Sequence, residues 1–264
     1  MTQIIASDSS GTANQKALDI FAGLDPATIA LLLDVDGTLI DIGPSPFEVD
    51  VPDDLKVALS RLHDLCGGAL ALVSGRPIRD LDLLFAPLRL PSVGGHGAEL
   101  RLADGLVSRI DDLPGDLRRH LIDAATPGSG IEYEDKGYSV ALHYRKAPQH
   151  EQRLRAHVIA SQAAFPAVET EILLGKAMFE VKRPAINKGD GVRGLMAHQP
   201  FAGRVPVFIG DDVTDQAAFA ALPALGGRGF AVGDYFQGVS AIFSSPAQVR
   251  LALRRMAKLQ AADF

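Results

Sequence analysis

Cysteine pairs, dense basic stretches and long apolar runs are all missing from this chain, and each absence removes a class of protein. A single cysteine, Cys66, cannot form an intrachain disulfide or build a cysteine-rich metal site. It sits where a helix approaches an apolar strand, which suits a small buried hydrophobe. No dense Lys/Arg run occurs, and a net charge of -6 argues against nucleic acid as a partner. No stretch of 18 apolar residues is free of charge, so no membrane span is expected. The N-terminus is polar, with Ser7, Asp8, Ser9, Ser10, Gly11, Thr12 and Asn14. It has neither the basic start nor the apolar run of a signal peptide, so the cytoplasm is the expected compartment. No internal repeat is apparent.

What is there suits an ordinary globular chain: 264 residues, 47% apolar and 22% charged, enough for one large domain or two modest ones. Residues 1–12 read as a disordered lead-in. Ala30 to Asp34 is an apolar run ending in an acid, as a buried strand does where it meets solvent. A loop with Pro44 and Pro46 follows, then a helix opening near Pro52, with Leu55, Leu59 and Leu62 at helical spacing. A second strand covers 69–73, a helix starts after Pro77, and Val93 begins a short strand ending in Gly94-Gly95-His96-Gly97.

From about 100 to 180 the texture changes. Ser139, Ala141 and His143 alternate with Val140, Leu142 and Tyr144, and amphipathic stretches fall near 115–125 and 150–163. From Lys188 the earlier style returns, with a helix over 189–197, a strand over 205–209, a helix over 215–222 and a last strand near 229–232. Pro206 fits its strand only as the first or second residue. This order predicts an α/β fold, a Rossmann-like parallel-sheet core with a smaller α+β cap inserted. The expected divisions are an N-terminal tail over 1–25, core over 26–103, cap over 104–182 and core again over 183–264. Sites in such cores lie beyond the carboxyl ends of the strands.

Three of those strand ends carry chemistry. Asp34 and Asp36 stand two apart, so an extended chain turns both to one side. Two carboxylates that close repel, and a divalent cation or a shared proton is needed to hold them. Gly37 and Thr38 allow a tight turn with backbone N–H groups available to an anion. Taken alone, the string also reads as a strand followed by an Asp-Gly turn. Ser74-Gly75-Arg76 ends the second strand, where a serine hydroxyl can donate to a phosphoryl oxygen or cap the next helix. Asp211, Asp212 and Asp215 follow the strand over 205–209 and suit a cation with oxygen ligands or an acidic helix N-terminus. Lys182 and Lys188 flank Arg183-Pro184-Ala185-Ile186-Asn187, and either ammonium could offset charge on a transferring phosphoryl group.

Asp34-Val35-Asp36-Gly37-Thr38 resembles motif one of the haloacid-dehalogenase-like phosphatases, and the other motifs recur in the expected order. The resemblance implies that Asp34 is the nucleophile and Asp36 the general acid and base. Ser74 matches motif two. Motif three, a lysine at a helix start, selects Lys188 and leaves Lys182 as the secondary choice. Mg2+ is implied as cofactor, held by the Asp34 carboxylate, the Asp36 carbonyl and Asp211, with Asp212 and Asp215 orienting waters, Lys188 or the metal ligands.

Gly95-His96-Gly97-Ala98-Glu99, Glu134-Asp135-Lys136-Gly137 with His143-Tyr144-Arg145, and the Gly210 to Asp215 string look like the trehalose-6-phosphate phosphatases of bacteria. The likeness runs from about 28 to 245. It implies a phosphoric monoester hydrolase acting on a small sugar phosphate, with a cap that binds the two glucose rings. Glu134, Lys136 and Glu180 would hold sugar hydroxyls, Arg145 would lie near the phosphate, and Arg76 and His96 would also bind substrate. A monomer is favoured. Without the likeness, Asp135-Lys136-Gly137 reads as a hairpin turn with exposed charges. Two departures stand out: Gln216 where the family usually has glutamate, and Gly95 where a larger apolar residue is common. The competing readings are a sucrose-phosphate or mannosyl-phosphoglycerate phosphatase, a phosphomutase, and a catalytically silent sugar-phosphate sensor.

Overall fold

Ile29 to Leu33 are five apolar residues in a row and all are buried, as in a strand covered on both faces. In the computed structural model of the chain this is β1 (Ile29–Leu33), the middle of an eight-stranded sheet. The structure describes residues 8–43, 48–184 and 187–259. Pro44 and Pro46, and residues 1–7 of the expected lead-in, lie outside the described residues.

The chain divides into a larger unit, 1–108 with 187–264, and a smaller one over 109–186. In the larger unit β2 is Leu70–Val73, β3 Ser92–Gly94, β4 Glu99–Arg101, β5 Val107–Arg109, β10 Val205–Gly210, β11 Arg228–Val232 and β12 Val239–Phe243. Their order is β12-β11-β10-β1-β2-β3-β4-β5, and the strands from β12 to β3 run parallel. Its helices are α1 (Asp8–Ala22), α2 (Asp53–Leu65), α3 (Ile78–Leu84), α6 (Lys188–Met196), α7 (Gln216–Ala221) and α8 (Pro246–Met256). Pro206 is the second residue of β10, opposite Ala30. Cys66 closes α2 and is buried, and burial pushes its thiol up to about 11.

Three features correct the sequence reading. Residues 8–22, expected within a tail, form α1. Ala17, Leu18 and Phe21 are buried on this helix, with the Phe21 ring edge-on to Phe230 at 5.5 Å and to Phe243 at 6.0 Å. Beyond the strand expected near 229–232 the sheet gains β12, and α8 follows with Val249, Ala252, Leu253 and Met256 buried. The two units divide at 108/109, within β5, and at 186/187, against the expected 103/104 and 182/183.

In the smaller unit β6 (Glu132–Asp135), β7 (Ser139–His143), β9 (Met178–Lys182) and β8 (Glu171–Gly175) form an antiparallel sheet in that order, beside α4 (Gly115–Ile122) and α5 (Glu151–Ala164). Val140, Leu142, Phe179 and Val181 turn one way and join Leu117, Leu121, Leu154 and Val158 in a separate core. Among the described residues no helix is long and apolar enough to cross a membrane.

Candidate active site

The register Leu33↔Ile209 places the ends of β1 and β10 side by side, and Asp34 N–H donates to the Ile209 carbonyl at 2.9 Å. The acids that follow each strand therefore meet. Asp34, Asp211 and Asp215 each offer an oxygen within 4.8 Å of the others. Gly37, in a left-handed turn at φ 84°, is needed for this approach: a Cβ there would lie 2.1 Å from Asp211 Oδ2. Thr38, fully buried, donates its hydroxyl to Asp211 Oδ1 at 3.4 Å.

Lys188, the first residue of α6, donates to Asp34 Oδ1 and to Asp215 Oδ1, both at 2.6 Å. Burial alone would lower its pKa, but Asp215 and Asp34 together hold it well above the ordinary lysine range. Asp34 moves the other way from a usual acid. Burial, then the charges of Asp215 and Asp211, push its carboxyl well up, and Lys188 offsets this only in part. The other Asp215 oxygen accepts from Asp211 N–H at 2.9 Å and Asp212 N–H at 3.0 Å. Asp212 caps the short turn Val213–Asp215, accepting from Val213 N–H at 2.7 Å. Three acids in five residues are thus tolerated because two of them are tied to backbone donors.

One ammonium against three carboxylates leaves excess negative charge in a buried place, and the donors are all hard oxygens. That set fits a magnesium-like divalent cation. Asp215 spends both oxygens on Lys188 and the backbone, and together with Asp34 and Asp211 it forms the group of acids that could hold a cation.

Around this centre the β2 and β3 loops are stitched together. Ser74 Oγ accepts from Arg76 N–H at 3.1 Å, which leaves the serine proton to donate elsewhere. It does not cap α3; Glu99 does, accepting from Ile78 N–H at 2.6 Å. His96 N–H donates to the Ser74 carbonyl at 3.0 Å, and the His96 ring lies against Gly75, where a Cβ would meet Nε2 at 2.4 Å. His96 takes a left-handed conformation, φ 56°, rare for a residue with a side chain. Gly95 beside it has φ 57°, so the small residue relieves a strain that a larger one would carry. Arg76 forks onto Asp36, Nε to Oδ2 and Nη2 to Oδ1, each at 2.7 Å. The motifs had named both residues without indicating that they meet. Gln216, the other departure, is exposed at the start of α7.

The smaller unit holds a second polar cluster. Glu134 lies opposite Ala141 and Ala141 opposite Glu180, so the two acids share one face of the sheet. Lys136 Nζ bridges them, 3.0 Å from Glu180 Oε1 and 3.6 Å from Glu134 Oε2. Ser139 donates to Glu180 at 2.6 Å, and His143 Nε2 stands 3.5 Å from Glu134 Oε1. The Asp135 to Gly137 segment is a hairpin turn as its composition suggests, yet Lys136 is buried rather than exposed. Arg145 is exposed and donates to the Lys176 carbonyl at 3.3 Å. Lys182 pairs with Glu171 in this unit.

The parallel sheet with its inserted smaller unit is a fold shared with a Bacteroides thetaiotaomicron phosphatase of the haloalkanoate (HAD) enzyme superfamily, 18% identical, with a TM-score of 0.57 over 88% of this chain and 96% of that one. The family model for trehalose-phosphatase matches residues 32–235. The trehalose-6-phosphate phosphatase of Escherichia coli is 40% identical over 213 residues, 78% of either chain. A probable trehalose-phosphate phosphatase of Sinorhizobium fredii is 39% identical over 221 residues, 83% of either chain. This chain belongs to the trehalose-phosphatase family, a group of phosphoric monoester hydrolases. The C-terminal domain of Candida albicans trehalose-6-phosphate phosphatase, 22% identical, shares the fold, with a TM-score of 0.73 over 92% of this chain and 96% of that one.

Proposed function

We propose that this chain is a Mg2+-dependent phosphatase that hydrolyses trehalose 6-phosphate to trehalose and phosphate. The single observation that carries the reading is the buried Asp34, with Oδ1 held by Lys188 and an oxygen within 4.8 Å of ligand oxygens of Asp211 and Asp215, the acids that follow β10. An attacking carboxylate must be fixed and near positive charge, and this one is both.

In the first half-reaction an Asp34 oxygen attacks phosphorus while Asp36 gives its proton to the departing sugar oxygen, leaving phosphate on Asp34. In the second, Asp36 takes a proton from water, and hydroxide attacks that phosphorus and frees Asp34. Lys188 and the Ser74 hydroxyl hold the equatorial phosphoryl oxygens. Mg2+, when bound by the Asp34 and Asp211 carboxylates and the Asp36 carbonyl, supplies further neutralisation of phosphoryl charge. Asp215 keeps Lys188 aimed, and Asp212 keeps the turn that carries Asp211. Arg76, His96 and Arg145 serve the phosphate end of the substrate; Glu134, Lys136 and Glu180 take the sugar hydroxyls, since carboxylate and ammonium groups pair with them directionally.

Two measurements test this. Phosphate release with Mg2+ across sugar phosphates should favour trehalose 6-phosphate over sucrose phosphate and mannosyl-phosphoglycerate. A preference for either of those would move the substrate assignment and leave the chemistry. In a rapid burst, Asp36→Asn should slow phosphoryl transfer from trehalose 6-phosphate far more than from nitrophenyl phosphate, whose leaving group needs no proton. Equal losses would show that Asp36 acts through geometry rather than proton transfer.

A further inference from the structure

Both oxygens of Asp36 are occupied. The Arg76 guanidinium holds them as a planar fork at 2.7 Å on each side, the strong form of an arginine–carboxylate contact. The Arg76 backbone is pinned: its N–H donates to Ser74 Oγ and its carbonyl accepts from Gly95 N–H at 3.0 Å. The helix that follows is anchored by Glu99 at Ile78. Any change in this contact must come from side-chain rotation. Asp36 lies on the open side of the pair, its side chain 37% exposed against 14% for Arg76.

A group that hands a proton to a leaving oxygen and later takes one from water needs at least one oxygen outside the fork. The same guanidinium also matches two oxygens of a phosphoryl group. We propose that Arg76 is an exchangeable latch on Asp36. Without a phosphate it holds the carboxylate by both oxygens; a bound phosphoryl group takes over the fork and releases Asp36 for proton transfer. The latch rests on the phosphatase reading of this site and adds a competition absent from it: Asp36 and the phosphate contend for one guanidinium. No covalent bond changes in the exchange.

The test is a double-mutant cycle in phosphate affinity, measured by calorimetry with inorganic phosphate and Mg2+ on the full chain. The proteins are the parent, Asp36→Asn, Arg76→Gln and the double variant. An asparagine amide offers one acceptor oxygen and cannot hold the fork. Asp36→Asn should therefore bind phosphate about tenfold tighter than the parent, the scale of one charge-assisted hydrogen bond. In the Arg76→Gln background the same change should gain little. An equal gain in both backgrounds would mean only that a repelling charge had been removed, and would overturn the latch.

If Arg76→Gln does not fold, Arg76→Lys completes the cycle, keeping the charge without the fork. The gain should then shrink to a fraction, and an undiminished gain overturns the latch. Failure of the parent to bind phosphate at all would overturn the phosphatase reading and the latch together. Parent binding with an additive cycle removes the latch alone.

Discussion

Lys188 sits between two carboxylates at 2.6 Å, and the balance of charge around it decides what each substitution does. Its pKa in the folded protein is raised, so its contribution is complete at any pH below the ordinary lysine range. That contribution is lost only as pH rises through the raised value, so a melt at neutral pH reads it in full. Lys188→Met leaves two buried acids uncompensated and should lower stability by about 3–5 kcal/mol. Asp34→Asn has the opposite sign. It keeps the shape and removes one of three crowded negative charges, so the metal-free protein should melt higher, by roughly 2–4 °C per kcal/mol gained. The same variant should form no phosphorylated protein. A lower melting point for metal-free Asp34→Asn would mean that its pairing with Lys188 outweighs repulsion from Asp211 and Asp215.

At the scale of the element, the period of two along β6, β7 and β9 puts apolar residues on one face and the Glu134–Lys136–Glu180 cluster on the other. Ala141, between the two acids, is small enough for Lys136 to reach both. Burial alone would raise the Glu134 carboxyl, but His143 and Lys136 outweigh it and hold the group below its ordinary value. A depressed acid contributes stability above the ordinary carboxylate range and loses it as pH falls through the folded value. Glu134→Gln should therefore be less stable than the parent at neutral pH and match it once pH has fallen below the depressed folded value, in denaturant titrations across that range. A constant difference at all pH values would mean that Glu134 acts through packing instead. Lys136→Ala and Glu134→Ala should also lower kcat/KM for trehalose 6-phosphate roughly ten- to hundredfold, and leave a small phosphate ester near the parent rate.

For the whole molecule, the edge of the large sheet depends on α1. Phe21 is fully buried against Phe230 of β11 and Phe243 of β12. Phe21→Ala should lower unfolding free energy by about 3–5 kcal/mol through lost burial and the cavity left behind. The site lies at the ends of β1 and β10, and the change is made at the β11–β12 edge. kcat should therefore stay at the parent value at temperatures where the variant is folded. A fall in kcat without a fall in stability would link α1 to the site in a way the sheet order does not suggest.

The parallel core and the acids at its strand ends were legible in the sequence, because uninterrupted apolar runs ending in aspartate are local signals. The same is true of Pro206 near the start of β10 and of the Asp135 to Gly137 turn. Other features needed the fold. β12 is a short edge strand of mixed burial, Val239 to Phe243, with too weak a pattern to separate from a loop. The polar start of α1 hid the few side chains, Ala17, Leu18 and Phe21, that tie it to the core. The fork between Arg76 and Asp36 joins residues 40 apart, and the ion pair between Lys188 and Asp34 joins residues 154 apart. Spacing along the chain says nothing about such contacts; the parallel pairing of β1 with β2 and β10 creates them. Residue types and their local order named the groups that could do the chemistry. Only the register of neighbouring strands decided which of them touch, because a hydrogen bond extends about 3 Å and the chain between its ends spans far more.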